Sequence, residues 1–205
     1  MNRKQQQTEV TKARLMEAAF AIFSHRGYVS ASIEEIACAT GTSKANIYYH
    51  FKSKEGLFLA LLDRYDAEWM ALWEEQRVRY HSVAEMLHGM INMSLPQGFH
   101  HPLNRAAREF LDDAWGKSEE GRRLFAERVE EKRLFLIALL QEGIDSGELK
   151  TGNVSELALI LESLFRGLGE TTRDMKLDDA MKIYNCALEA FLHGIAAKCV
   201  GNGKE

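Results

Sequence analysis

Between Ser32 and His50 the chain sets out two short helical runs that meet at one glycine. Ser32-Ile33-Glu34-Glu35 opens the first as a capping box: the serine hydroxyl accepts an early backbone N–H, and the glutamate three residues on reaches back to the serine. Ala37 is small, which lets a second helix cross closely over the first. Gly41, four residues later, can take the left-handed conformation that a sharp helix–helix turn needs. Ile47, six further on, packs back into the angle. Thr42 or Ser43 caps the second run, which lasts through His50. This is the spacing of a helix-turn-helix, a motif that lays its second helix in the major groove of a duplex and reads bases with residues near that helix's N-terminus.

The rest of the 205 residues also reads as helix. Met1 to Gln7 is polar, basic and aperiodic, and is expected to be a disordered arm. From Thr8 to Ser24, Leu15, Ala19, Ile22 and Phe23 form a helical stripe that Gly27 stops. Ser53 caps a fourth helix from Lys54 to about Tyr80. Ser82-Val83-Ala84-Glu85 is a second capping box, and its helix is expected to end before Pro96, leaving Leu95 to Pro102 as a loop. A helix from about Leu103 to Trp115 precedes Gly116, and Ser118 caps a long one reaching roughly Asp145. The unbroken apolar run Leu134 to Leu140 predicts that this helix is surrounded on most sides. Gly147 and Gly152 bracket a turn; Asn153, boxed by Glu156, starts a helix to about Thr172, and Asp178 opens the last, ending near Lys198. The predicted fold class is all-α, with about nine helices and no strand.

Charge is divided unevenly. The whole chain carries a formal −4, yet residues 1–56 hold eight Lys and Arg against five Asp and Glu, a net of +3 that leaves −7 for the remainder. A basic end on an acidic body suits a nucleic-acid partner. The start of the second short helix presents Ser43, Lys44 and Asn46, none of them apolar. Asparagine can pair with adenine through two hydrogen bonds, and lysine can donate to guanine or phosphate. Tyr48, Tyr49, His50, Lys52 and Lys54 follow, hydroxyls and cations suited to phosphates. Taken alone, Ala-x3-Gly-x5-Ile fits a structural helical hairpin with a polar surface equally well. The coincidence of turn, polar face, basic balance and capping box favours DNA.

From Lys12 to about Leu62 the chain resembles the TetR (tetracycline-repressor-like) family of bacterial transcriptional regulators. The resemblance is carried by Leu15-Met16-Glu17-Ala18-Ala19, Phe23 to Tyr28, Ser32 to Ala37, Gly41-Thr42-Ser43-Lys44 and Ile47 to Leu57. It implies a three-helix DNA-binding domain at 1–53, with an arm at 1–7, and a helical effector-binding and dimerisation domain at 54–205. It further implies that Thr42, Ser43, Lys44 and Asn46 face bases or nearby phosphates. Ser32, Tyr48, Tyr49, His50 and Lys54 would hold the backbone, and Arg3 and Lys4 would reach a neighbouring groove. The expected partner is a double-stranded, near-palindromic operator bound by a homodimer.

On the penultimate helix Leu157, Leu161, Leu164 and Leu168 recur at helical spacing; on the last, Met181, Tyr184, Leu188, Phe191 and Ile195 do. Such stripes serve an intramolecular core as readily as an interface, and it is the resemblance that assigns them to a dimeric four-helix bundle. It also implies a small-molecule effector, by default apolar or amphipathic, among Met86, Met90, Met93, Phe99, Phe110, Trp115, Phe135, Phe165 and Arg166, although core packing explains each of these too. Glu162, one turn before Arg166, is its simpler partner. Trp69 and Trp73 read as a packing pair on the fourth helix. An effector would act by preferring a dimer shape whose recognition helices no longer fit the operator.

No enzyme, cofactor or metal is expected. Glu85-x-x-His88 has di-iron spacing but no second such pair, and neither a Gly-rich phosphate loop nor Gly-x-Ser-x-Gly occurs. The remaining rival is a helical module that binds protein. Cys38, Cys186 and Cys199 show no paired spacing, so neither disulfides nor structural zinc are expected. With no apolar run near the about 18 residues of a membrane span and no targeting segment, a cytoplasmic setting without membrane contact fits.

Overall fold

The computed structural model describes residues 3–99, 101–117 and 119–195, and among them the chain is helical almost throughout. The order is α1 (Arg3–Ser30), α2 (Ile33–Thr40), α3 (Lys44–Phe51), α4 (Lys54–Arg77), α5 (Val83–Phe99), α6 (Asn104–Lys117), α7 (Glu119–Asp145), α8 (Val154–Thr171) and α9 (Leu177–Ile195). No helix among the described residues is long and apolar enough to cross a membrane. Two compact units arise, Met1–Ala71 with His100–Glu127, and Leu72–Phe99 with Arg128–Glu205. Their limits fall inside α4 and α7, whereas the functional division expected at residues 53 and 54 concerns what each part binds.

The first unit is built around aromatic rings. Phe23 and Tyr28 of α1, Phe58 of α4 and Phe110 of α6 meet with ring centroids 4.9 to 5.8 Å apart. Leu15 and Ala19 of α1, Ile33 and Ile36 of α2, Ile47 of α3 and Leu57 of α4 complete that core. His101, just before α6, packs between Phe20 and Tyr65, and its Nδ1 accepts the Leu103 N–H at 3.2 Å.

The second unit buries Trp73 against Tyr80 and Phe135, and Leu161 of α8 and Leu188 of α9 in the core. Trp69, expected to pair with Trp73, is half-buried. The N-terminus of α5 is closed from afar: both Glu148 oxygens accept there, from Val83 N–H at 2.7 Å and Ala84 N–H at 2.9 Å. A carboxylate on the free N–H groups of a first turn satisfies donors and opposes the positive end of the helix dipole. His88 of α5 lies 2.7 Å from both Asn185 and Glu189 of α9.

Five expectations need correction. The arm is helical from Arg3, because Arg, Lys and Gln are good helix formers and no breaker precedes Thr8. Pro96 lies inside α5, which runs on to Phe99 although the ring removes a backbone N–H and crowds the carbonyl one turn back. The run Leu134 to Leu140 is not surrounded, since Leu134 and Ala138 are exposed while Leu136, Leu139 and Leu140 are buried. At Ser82 the box is half-formed: its hydroxyl accepts from Glu85 N–H, but Glu85 turns to His81 N–H. α6 also runs through Gly116 to Lys117. Ser118, Cys199 and the last helix's end near Lys198 lie outside the described residues.

Burial holds the His101 pKa below its ordinary value, with Glu68 opposing weakly. A histidine depressed by folding contributes stability above its unfolded pKa of 6.5 and loses it as pH falls through the folded value. Asparagine can place a non-titrating acceptor where Nδ1 sits. Thermal midpoints measured from pH 7 down to about 5 should therefore decline less for His101→Asn than for the wild type.

Candidate nucleic-acid interface

The two-helix unit forms as its local residues direct. Ser32 is the N-cap of α2 in a complete capping box: its hydroxyl accepts from Glu35 N–H at 3.2 Å, and Glu35 Oε2 accepts from Ser32 N–H at 3.0 Å. Arg26 pairs with the other Glu35 oxygen at 3.1 Å. Gly41 ends α2 at φ 64°, and Thr42 N–H donates to Ala37 O at 3.0 Å, a Schellman-type closure. Nothing lies within 4 Å of where a Gly41 Cβ would stand, so backbone conformation alone demands glycine. Ser43 caps α3 by accepting from Asn46 N–H at 3.2 Å, and Ile47 is fully buried in the angle.

The turn from α3 to α4 is tighter. Lys52 is the single non-glycine residue with positive φ (68°) among the described residues, and Ser53 N–H donates across it to Phe51 O at 2.8 Å. That is a γ-turn of the rare, strained hand. It swings Phe51 O onto Gly56, where a Cβ would collide with it. Ser53 then caps α4 by accepting from Gly56 N–H at 3.0 Å.

Most of the residues expected to meet DNA lie on the outer side of this unit. Ser43, Lys44, Tyr48 and Tyr49 are exposed, Tyr49 by 72%, while Thr42, Asn46 and His50 are half-buried. His50 stacks edge-on against Tyr49. Asn46 Nδ2 donates to Thr42 Oγ1 at 2.9 Å, which fixes the plane of its amide. Ser32 is spent largely on its own cap. Lys54 is half-buried and leans on the end of α1: its ammonium donates to Val29 O at 3.3 Å and rests 4.4 Å from the centre of the Tyr28 ring. Arg3 is exposed, and the Lys4 side chain lies outside the described residues.

Lys44 carries a tether that its own run of sequence does not announce. Its ammonium lies 2.6 Å from Glu34 Oε1, one helix back. That hydrogen bond lowers the Glu34 pKa and raises that of Lys44. A second unannounced carboxylate is Glu109 of α6. Oε2 accepts from Val29 N–H at 3.0 Å and Oε1 from Arg105 Nε at 2.7 Å. Burial pushes Glu109 up, but the hydrogen bonds from Val29, Arg105 and the Tyr28 backbone together draw it below the ordinary range.

The other candidate residues are spread over both units. Phe110 belongs to the aromatic core of the first. In the second, Met86 is buried, Met90 and Met93 half-buried, and Phe135 edge-on to Trp73. Phe165 stacks on Tyr184, and Arg166 pairs with Glu162, which also holds Arg133 at 2.9 Å. The Trp115 and Phe99 side chains lie outside the described residues. Leu161, Tyr184 and Leu188 are buried by the chain itself, holding α8 to α9; Leu157, Leu164, Leu168, Phe191 and Ile195 are half-buried. Leu159 and Ile160, 49% and 54% exposed, are the outward apolar residues of α8.

An exposed, capped helix seated across a second short helix, carried on an all-α body, defines a helix-turn-helix DNA-binding protein. The comparisons agree along the chain. Residues 15–61 match the model of bacterial regulatory proteins of the tetR family, and residues 65–197 match the QacR-like C-terminal region. The chain belongs to the TetR family of bacterial transcriptional regulators. It is 25% identical over 186 residues to the HTH-type transcriptional regulator QacR of Staphylococcus aureus, covering 90% of this chain and 98% of that one. Over 94 residues it is 30% identical to the regulator UidR of Escherichia coli, 46% of this chain and 48% of that one. A putative regulator from Saccharomonospora viridis solved with choline shares the fold, with TM-score 0.73, 23% identity and coverage of 93% and 100%. A TetR-family regulator from Mesorhizobium loti does so at TM-score 0.74, 19% identity and coverage of 96% and 100%.

Glu34 holds the Lys44 ammonium and adds negative charge beside α3. Glu34→Gln should tighten duplex binding a few-fold at low salt, measured by fluorescence anisotropy, and the gain should shrink as salt rises.

Proposed function

We propose that the chain is a cytoplasmic, homodimeric repressor that leaves its operator when a small apolar or amphipathic effector binds, and that it has no enzymatic activity. The observation that carries this reading is the outward set of Ser43, Lys44, Tyr48 and Tyr49 on a helix whose inner face is locked by Ile47. Residues 1–53 bind DNA, and residues 54–205 dimerise and sense the effector. Thr42, Ser43, Lys44 and Asn46 meet bases or adjoining phosphates; Tyr48, Tyr49 and His50 hold phosphates. Ser32 and Lys54 serve the same contact from the starts of α2 and α4.

One helix-turn-helix touches too few base pairs for tight specific binding, and a dimer doubles the contact with two half-sites a whole number of helical turns apart. The pairing surface takes in Ile160, an exposed apolar residue that a second copy would cover. The half-buried Leu157, Leu164, Leu168, Phe191 and Ile195 border it. The effector lodges among Met86, Met90, Met93 and Phe135, soft and aromatic groups that adapt to an apolar ligand. Choline in the Saccharomonospora viridis relative supports a small organic molecule in this fold.

Selection of duplexes from a random pool tests the DNA reading directly. The protein should enrich a near-palindromic sequence, and the log of its affinity should fall with log salt by about 0.9 per phosphate neutralised. No enrichment, or salt-independent binding, rules the reading out. Ile160→Glu places a charge in the pairing surface, so sedimentation should show monomers, with affinity for the selected duplex lowered at least roughly tenfold.

A further inference from the structure

We propose that Glu109 is a positioning residue for operator recognition. Its carboxylate clasps the junction between α1 and α2 and so holds the helix-turn-helix in the register that fits the groove. This rests on the operator-binding reading above.

The clasp is made of backbone as much as side chain. At Gly27, φ 80° and ψ 175° break α1 and turn the following N–H groups toward one place. Glu109 fills that place, accepting from Val29 N–H at 3.0 Å and also from the Tyr28 N–H. A Cβ on Gly27 would fall on the carboxylate itself, so the cradle exists only with glycine there. Lys54 grips the same segment through Val29 O and the Tyr28 ring. Phe110, next to Glu109, packs edge-on against Tyr28 at 4.9 Å.

Beyond Tyr28 the junction has little packing of its own. Val29 is 59% exposed and Ser30 is exposed, so hydrogen bonds fix the path over these two residues, before the buried Ala31. Only Ser30 and Ala31 separate Val29 from Ser32, the cap of α2. A shift of Val29 therefore shifts the start of α2 and, through the Gly41 turn, the helix that reads bases. Arg105, four residues before Glu109, already supplies α6 with an ion pair, so the reach to Val29 is not needed for that helix. Both oxygens of the carboxylate face donors, Oε2 the Val29 N–H and Oε1 the Arg105 Nε–H. A glutamine keeps the shape but must turn its NH2 toward one of them, leaving a donor unpaired.

In a loosened junction the competent register is one of several, and apparent affinity falls by its population. Non-specific binding follows total charge and needs no fixed register. The test uses the full-length protein and the duplex it selects from a random pool. Glu109→Gln should bind that duplex roughly tenfold more weakly, bind a scrambled duplex no more weakly than the wild type does, and keep the wild-type salt slope. Hydrogen exchange at the Val29 amide should quicken, while the thermal midpoint moves by only a few degrees. Equal or tighter binding of the selected duplex by Glu109→Gln overturns the proposal, as does parallel loss on both duplexes. If that variant fails to fold, Glu109→Asp, which keeps the charge but draws it back by one methylene, must show the same selective loss; wild-type affinity there also overturns it. Failure of the wild type to select any duplex counts against the DNA reading instead.

Discussion

Two helices of eight residues each cannot hold their shape alone in water, where isolated helices below about 12 residues are marginal. Everything that α2 and α3 do therefore depends on a surface that fixes them from behind. The cluster of Phe23, Tyr28, Phe58 and Phe110 provides it. Rings in edge and tilted contact resist sliding more than aliphatic chains do, because their quadrupoles favour particular angles. On this base rest Ile33, Ile36 and Ala37 from α2 and Ile47 and Phe51 from α3. The outer face of α3 is then free to be polar, since it contributes nothing to its own support.

The parts that could be read from the sequence are those whose causes lie within a few residues. The capping box at Ser32, the left-handed Gly41, the Ser43 cap and the Asn153 cap all form as spacing predicts. The buried positions Leu15, Ala19 and Phe23 follow from a period of 3.6. What escaped was local propensity carried past a weak stop. Arg3 to Gln7 lack an apolar stripe, yet they are helix formers joined to a helix already nucleated. Pro96 stands inside α5, three residues before its end, so the proline does not by itself mark where that helix stops.

Contacts across long separations were the other gap. Glu148 caps α5 from 65 residues away, and Glu109 reaches Val29 across 80. Neither has a neighbour in sequence that betrays it; a glutamate on a polar helix is the commonest thing a surface holds. Glu34 and Lys44 lie ten residues apart and meet only because the turn at Gly41 folds one helix back on the other. In the dimer stripes, period alone cannot separate inner from outer faces. Leu161 and Leu188 are sealed by their own chain, while Leu159 and Ile160, one or two residues away, face out.

The docking helix is ordered by bonds that water could replace at small cost. Lys44 with Glu34 and Asn46 with Thr42 are exposed or half-exposed, and such pairs contribute little to stability. Their value lies in which states they remove. A lysine held by a neighbour cannot sample every phosphate in reach, and an amide pinned by a hydroxyl offers a fixed edge to a base. Affinity must then come from the phosphate contacts, which are strong and blind to sequence, and discrimination from the few groups whose orientation was set beforehand. A chain with net charge −4 can bind a polyanion on these terms only if its basic residues are concentrated where the duplex lies. Residues 1–56 hold such a surplus, a net of +3, against −7 for the remainder.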